Sequence, residues 1–135
     1  MLLIDDLLAA WLMLVARVAI AVVFLVSGIH KGIWFRKAAA EFRRDEIPAI
    51  GLTLPATIIL HLSASTCLIV GYLAREAALA LALHTVIATL KVHAYWRLPK
   101  AEQLGRSRIT TANLAIVGGL LLLVAVGPGP LIVVK

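Results

Sequence analysis

Four long runs of apolar residues, separated by short polar connections, dominate this sequence of 135 residues. A helix needs about 20 mostly apolar residues to cross the roughly 30 Å hydrocarbon core of a bilayer. Because backbone polar groups in lipid must be satisfied within their own segment, each run is predicted to be a helix. The predicted spans are residues 7–29, 54–73, 77–96 and 109–126.

The composition is typical of a membrane protein. Hydrophobic residues make up 62% of the chain and the mean hydropathy is +1.02, whereas a soluble domain is nearer half apolar. The net charge of +6 comes from basic residues that lie mostly between the apolar runs. That placement indicates loops at an anionic membrane surface rather than nucleic-acid binding. The predicted partner is therefore the lipid bilayer, and nucleic acid is not expected.

The connection between the first two runs has helical character of its own. Trp34 and Phe35 precede a charged segment in which Lys37 and Glu41 are four residues apart, a spacing that allows a helical ion pair. Residues 36–46 are therefore predicted to form a short helix at the membrane interface, with a solvated polar loop as the alternative. The predicted fold is all-α: one membrane domain over residues 1–135, built as an antiparallel up-down four-helix transmembrane bundle.

The distribution of Lys and Arg predicts the orientation. Ten of the 13 lie in or near the two long connections, residues 30–53 and 97–108. Because cytoplasmic loops carry an excess of Lys and Arg, both connections are predicted to be cytoplasmic and both termini outside. The predicted location is the inner (plasma) membrane, in a multi-pass arrangement.

Titratable side chains within the spans are the candidates for function, because burying them in lipid is unfavourable. All of them are basic, while every Asp and Glu lies in a tail, loop or turn. This asymmetry argues against an ion-coupled transporter, which needs a buried carboxylate, and favours an electron-rich ligand such as a quinone carbonyl or an anion. The candidate ligand-binding residues are Arg17, Lys31, His61, His84 and His93.

Other kinds of chemistry find little support in the sequence. If the second and third spans are antiparallel and joined by a turn near Ala74, His61 and His84 lie at different depths along the membrane normal. Two histidines that hold one haem should lie at nearly equal depth, so a haem held by these two residues is not expected. No catalytic set, metal site or phosphate loop is predicted. An independent enzyme is not expected either, and quinone is the cofactor that the basic residues suit best.

Several short motifs occur in order along the chain. They are Ser27-Gly28-x-x-Lys31, Gly71-x-x-x-Arg75 followed by Ala77-Ala78-Leu79, Asn113-Leu114-Ala115, Gly118-Gly119 and Gly127-Pro128-Gly129. Together they resemble the motifs of the DoxX-like membrane proteins, over roughly residues 17–130. His93 falls where many members carry a His, and His61 departs from the pattern because many members carry a Glu there.

This resemblance implies a four-helix membrane subunit associated with a respiratory or sulfur-redox complex that acts on quinone. The leading prediction is a subunit that contributes to a quinone site within a larger membrane complex or a homo-oligomer. In that site His61 donates a hydrogen bond to a quinone oxygen, and Lys31 or His93 stabilises the reduced, negatively charged form.

Two alternatives remain. One is a scaffold subunit without a ligand of its own. The other is a carrier of small anions or lipid head groups, with Arg17 and His84 as its outer site and Lys31 and His93 as its inner site.

Overall fold

The computed structural model describes residues 1–92 and 95–133 of the chain. Its helices are α1 (Leu2–Ile33), α2 (Phe35–Arg44), α3 (Ile50–Val70), α4 (Ala74–Val92) and α5 (Lys100–Val126), with a short 3-10 turn at Tyr95–Arg97. Within the described ranges, α1, α3, α5 and the segment that begins with α4 are long and apolar enough to cross a membrane. The predicted fold class, an all-α polytopic membrane bundle, is thus confirmed.

Several helices are longer than the apolar runs that predicted them. The 32 residues of α1 correspond to about 48 Å of helix, more than the hydrocarbon core requires. Helix α5 begins at Lys100 rather than at residue 109, with Pro99 before it and Glu102 in its first turn, where a negative charge is favourable. Hydropathy locates the apolar part of each helix, whereas the helices themselves continue into polar sequence.

Helix α3 lies at the centre of the packing, between α1 and α4, and α5 packs against α4. By comparison, α1 and α5 contact each other only weakly. Many of the core residues are small, which lets helix backbones approach closely in a membrane. The buried cluster includes Ala21, Ala64, Ala74, Ala78, Ala82, Leu68, Leu81 and Leu120.

The two ends of the bundle differ in construction. At the end that we call the turn end, Gly71 ends α3 in the left-handed region (φ +83°), and a Cβ there would clash with Ile132. At the opposite end, the loop end, α2 packs against α1 and α3. Asp45, the residue that follows α2, forms an ion pair with α5, its Oδ1 lying 3.5 Å from Arg106 Nη2.

Residues 127–133, which we call the C-terminal strap, fold back across the turn end. Gly127 and Gly129 adopt positive φ angles of 85° and 81°, conformations that glycine adopts without strain. The backbone N–H of Val133 then donates a hydrogen bond of 2.8 Å to the carbonyl of Val70, at the end of α3. The Gly-Pro repeat therefore does more than end α5, because it directs the chain back onto the bundle.

Candidate functional site

A cavity of about 660 Å³ lies between the helices in the half of the bundle nearer the loop end. All five helices contribute to its wall, and polar and apolar residues line it in equal number. Its polar lining residues are Ser27, Lys31, Glu41, Asp45, Thr53, Thr57, His61, His84, Thr85, Lys91 and Asn113.

His61 lies near the middle of α3 and is only 5% exposed. Its ring makes edge-to-face contacts with two other rings, that of Phe24 with the centroids 5.3 Å apart and that of His84 with the centroids 4.9 Å apart. The predicted offset between His61 and His84 is therefore wrong. The turn between α3 and α4 lies at Gly71–Leu73, closer to the N-terminus than the prediction assumed, and this brings the two histidines level.

The His61 imidazole has no conventional hydrogen bond within the described residues. Both Nδ1 and Nε2 are buried, and neither has a partner there. A buried donor or acceptor without a partner typically costs about 1–3 kcal/mol. The ring, which lines the cavity, therefore retains an unused N–H donor and an unused nitrogen acceptor.

The Ser27-Gly28-x-x-Lys31 motif at the end of α1 forms the part of the cavity wall next to His61. Lys31 Nζ, which is half-buried, donates a hydrogen bond to Ser27 Oγ one turn earlier. A Cβ at Gly28 would lie 3.0 Å from the Cβ of His61, so glycine allows α1 to pack closely against α3 at this level. Phe24 is on the same helical face as these residues. The motif thus places one cation and one aromatic ring beside His61.

Acidic residues of α2 balance the positive charge. Glu41 and Asp45 line the cavity from the loop end, while Lys31 and Lys91 line it from α1 and α4. With two formal charges of each sign, the wall carries no net charge when the histidines are neutral. The cavity therefore suits a polar but uncharged head group better than a phosphate or another strong anion.

Arg17 lies apart from this cavity, at the turn end. It is 1% exposed, and its Nη atoms donate to the carbonyls of Pro128, Leu131 at 2.7 Å and Ile69 at 3.3 Å. Its Nε has no hydrogen-bond partner among the described residues. Two of the three acceptors belong to the C-terminal strap, so the guanidinium ties the strap to α3.

Of the predicted candidates, the structure therefore brings together His61, His84 and Lys31, and it separates Arg17 from them. His93 lies outside the described residues. Within the described residues, no three His, Cys, Asp or Glu side chains are placed to hold a metal ion.

Several residues that line the cavity were not among the ligand-binding residues predicted from the sequence. Phe24 was missed although it lies three residues before Ser27, at helical spacing on the same face. Asn113 of α5 donates a hydrogen bond of 3.0 Å to Thr89 of α4, and Thr85 bonds back to the carbonyl of Leu81 in its own helix. Glu41 and Asp45 reach the cavity only because α2 packs against α3, a contact that has no signal in the sequence.

Four span-length helices around a central cavity define a multi-pass α-helical membrane protein. The chain belongs to the DoxX family, whose model matches residues 12–94. It is 25% identical over 119 residues to the inner membrane protein YphA of Escherichia coli, a match that covers 87% of this chain and 84% of YphA. It is also 30% identical over 116 residues to the inner membrane protein YqjF of the same organism, covering 86% and 84% respectively. No solved structure matches the chain significantly.

Proposed function

We propose that this chain is a small inner-membrane subunit that binds a quinone in the loop-end cavity and serves a membrane redox complex. The observation that carries the proposal is the buried imidazole of His61, whose two nitrogens lack hydrogen-bond partners among the described residues on the wall of a cavity of about 660 Å³. A quinone carbonyl is an acceptor that a neutral His N–H can satisfy without adding charge to the membrane interior.

The residues around His61 fit a flat ring that carries two carbonyl groups. Phe24 and His84 hold the imidazole on two sides, which limits its rotation and fixes the direction of its N–H groups. Lys31 lines the same cavity, and its ammonium favours additional negative charge on a bound oxygen. A bound quinone would supply two-electron redox chemistry, while the chain itself binds, orients and shields the ring.

The position of Arg17 weakens the anion-carrier alternative. That model needs a free cation at the outer face, whereas both Nη atoms of Arg17 already donate to backbone carbonyls. The balanced charges of the cavity wall also provide no excess positive potential for an anion.

A scaffold role is the second candidate, and the N-terminal part of α1 favours it. This part bears large apolar side chains with high exposure, among them Leu2 at 81%, Leu3 at 84% and Ile4 at 70%. An exposed apolar surface of this kind suits contact with another membrane protein. A stable stoichiometric partner that also remains bound to a His61→Leu variant would support this role over ligand binding.

Quinone content after gentle purification tests the proposal. The wild-type chain, a His61→Leu variant and a His30→Leu variant are purified in mild detergent, and the quinone in each lipid extract is quantified. His30 is the matched control because it is an exposed histidine that contacts Trp34 and does not line the cavity. We expect quinone with the wild type and with His30→Leu, and its loss from His61→Leu. Absence of quinone from the wild type, or equal amounts in all three proteins, would contradict the proposal.

The orientation is part of the same proposal: connections 30–53 and 97–108 in the cytoplasm and both termini outside. The uneven distribution of Lys and Arg supports it. A C-terminal alkaline phosphatase fusion is expected to be active and a C-terminal green fluorescent protein fusion dark. The opposite pair of results would reverse the topology.

A further inference from the structure

Helices α1 and α5 form the weakest contact between adjacent long helices, and we call the gap between them the α1–α5 seam. The other neighbouring pairs, α1 with α3, α3 with α4 and α4 with α5, pack extensively. The loop-end cavity reaches this seam through Val23 and Phe24 of α1 and through Asn113 and Ile116 of α5. The site around His61 is therefore adjacent to a gap between the helices.

A second, smaller groove of about 230 Å³ lies on the same seam, toward the turn end. Its walls come from α1, α5 and Gly127 at the start of the strap, and they are almost wholly apolar apart from Arg17, whose Nη atoms bond to backbone carbonyls. Representative lining residues are Leu12, Met13, Ile20, Leu122 and Val126. The groove thus offers contacts to hydrocarbon and no free charge to a head group.

The cavity and the groove follow one another along both helices, with a short interval between their linings. On α1 the cavity lining begins at Val23 and the groove lining ends at Ile20; on α5 the corresponding residues are Ile116 and Gly119. Each pair is separated by three residues, which is about one helical turn. A Cβ at Gly119 would lie 3.0 Å from Ile20 Cδ1, so the end of this flexible side chain lies against α5 at the edge of the groove that is nearer the cavity. A rotation of the Ile20 side chain would widen the passage between the two spaces.

We propose that the α1–α5 seam binds the hydrocarbon tail of the ligand whose head occupies the loop-end cavity. The ligand is then a quinone with a long isoprenoid tail, with the ring at His61 and the tail running past Gly119 toward Val126. From Asn113 to Gly127 the seam extends about 20 Å along α5. This inference rests on the proposed function, and it assigns the substrate class of the same site.

The size and chemistry of the seam favour a hydrocarbon chain over a protein helix. A volume of about 230 Å³ is far too small for a helix about 10 Å across. A hydrocarbon tail has nearly the same apolar surroundings in lipid as in the seam. The affinity of the seam for the tail therefore comes mainly from close packing rather than from the hydrophobic effect. The tail can therefore stay in apolar surroundings while the ring reaches a buried polar group.

Two adjacent glycines of α5 provide a matched test. Gly119→Leu fills the seam opposite Ile20, whereas Gly118→Leu adds the same side chain where no atom lies within 4 Å of the new Cβ. Each variant and the wild type are placed in lipid nanodiscs. Their affinities are measured for two probes, a ubiquinone with a long isoprenoid tail and the same benzoquinone ring without a tail.

We expect Gly119→Leu to weaken binding of the tailed probe by about tenfold or more and to leave the tailless ring almost unaffected. Gly118→Leu should leave both affinities near the wild-type values. Ile20→Ala, which opens the junction, should retain or increase affinity for the tailed probe, and thermal unfolding of each variant checks that the bundle is intact.

Two results would overturn the inference while leaving quinone binding at His61 standing. One is an equal effect of Gly119→Leu on both probes, or no effect on either. The other is a change in oligomeric state with Gly119→Leu at unchanged tailed-probe affinity, because the seam would then be a contact between protein chains. Failure of the wild type to bind either probe would instead overturn the proposed function itself.

Discussion

The turn end and the loop-end cavity each bury a basic side chain, but the two side chains differ in their hydrogen bonds. At the turn end the Nη atoms of Arg17 donate to three backbone carbonyls, in α3 and in the C-terminal strap. In the cavity, neither nitrogen of His61 has a partner among the described residues. Both residues look alike in the sequence, as basic groups within apolar runs. A buried cation that bonds to backbone carbonyls of two segments supports the fold, whereas an imidazole without hydrogen bonds is available to a ligand.

The largest expected effect is at the turn end. Arg17→Met removes the hydrogen bonds that join the strap to α3, and bonds from a charged donor contribute about 1.5–3 kcal/mol each. We expect a loss of roughly 3 kcal/mol or more in the free energy of unfolding, measured by denaturant titration in mixed micelles. Arg44→Met is the control, because Arg44 is 70% exposed and lies 3.8 Å from Asp45. Similar small losses in both variants would remove the distinction between the two regions.

The second effect tests how closely α1 packs against the cavity. Gly28→Ala places a Cβ 3.0 Å from atoms of His61 and Leu62, whereas at Gly32 the nearest atom, of Ile58, is 4.0 Å away. Gly28→Ala should lower stability by about 1–3 kcal/mol, as expected for overpacking. Gly32→Ala should be neutral or slightly stabilising, since alanine is the better helix former. Thermal unfolding of the two variants makes the comparison, and equal shifts would show that α1 does not need glycine at this contact.

The third prediction concerns His61, where a substitution is expected to raise the free energy of unfolding rather than lower it. His61→Leu removes a buried ring whose nitrogens have no hydrogen-bond partner among the described residues, so the ligand-free protein should gain about 1 kcal/mol in stability. A gain in stability combined with a loss of binding is the pattern expected of a site kept for function. Unfolding is measured after extraction of bound lipid, with His30→Leu as the exposed control. A loss of stability comparable to that of Arg17→Met would mean that His61 supports the fold.

The smallest effect is at the loop end. Asp45→Asn weakens the ion pair between α2 and α5, in which Asp45 and Arg106 are 16% and 22% exposed. A pair that water partly reaches contributes about 1 kcal/mol or less, and salt screens it. We expect a small loss of stability that shrinks as sodium chloride is added, and no such trend for Glu46→Gln next to it. A large loss that does not depend on salt would make this contact a main support of the cavity.

The sequence predicts the bundle well because each span has to satisfy its own backbone in lipid. Apolar runs located the membrane helices, and the motif of Ser27, Gly28 and Lys31 indicated the family. The chemical types of the residues also identified His61, His84 and Lys31 as candidates. These features follow from local sequence and from helical periodicity.

The remaining features depend on contacts between segments that are distant in the chain. The predicted relative depths of His61 on α3 and His84 on α4 were wrong because apolar sequence continues through the turn at Gly71–Leu73. Hydropathy therefore placed this turn too close to the C-terminus. The role of Arg17 depends on bonds to a strap more than 100 residues later in the chain. The seam between α1 and α5 arises from how the helices pack, which hydropathy does not record.

The central claim, that His61 is the group that meets the ligand, can be tested directly by nitrogen NMR. The chain is labelled with ¹⁵N-histidine and placed in lipid nanodiscs, the tailless benzoquinone ring is titrated in, and a His61→Leu sample assigns the resonances. We predict a saturable shift of the His61 ring nitrogens while those of His30, which lies outside the cavity, stay fixed. His61 resonances that do not move, or that move together with those of His30, would contradict the account.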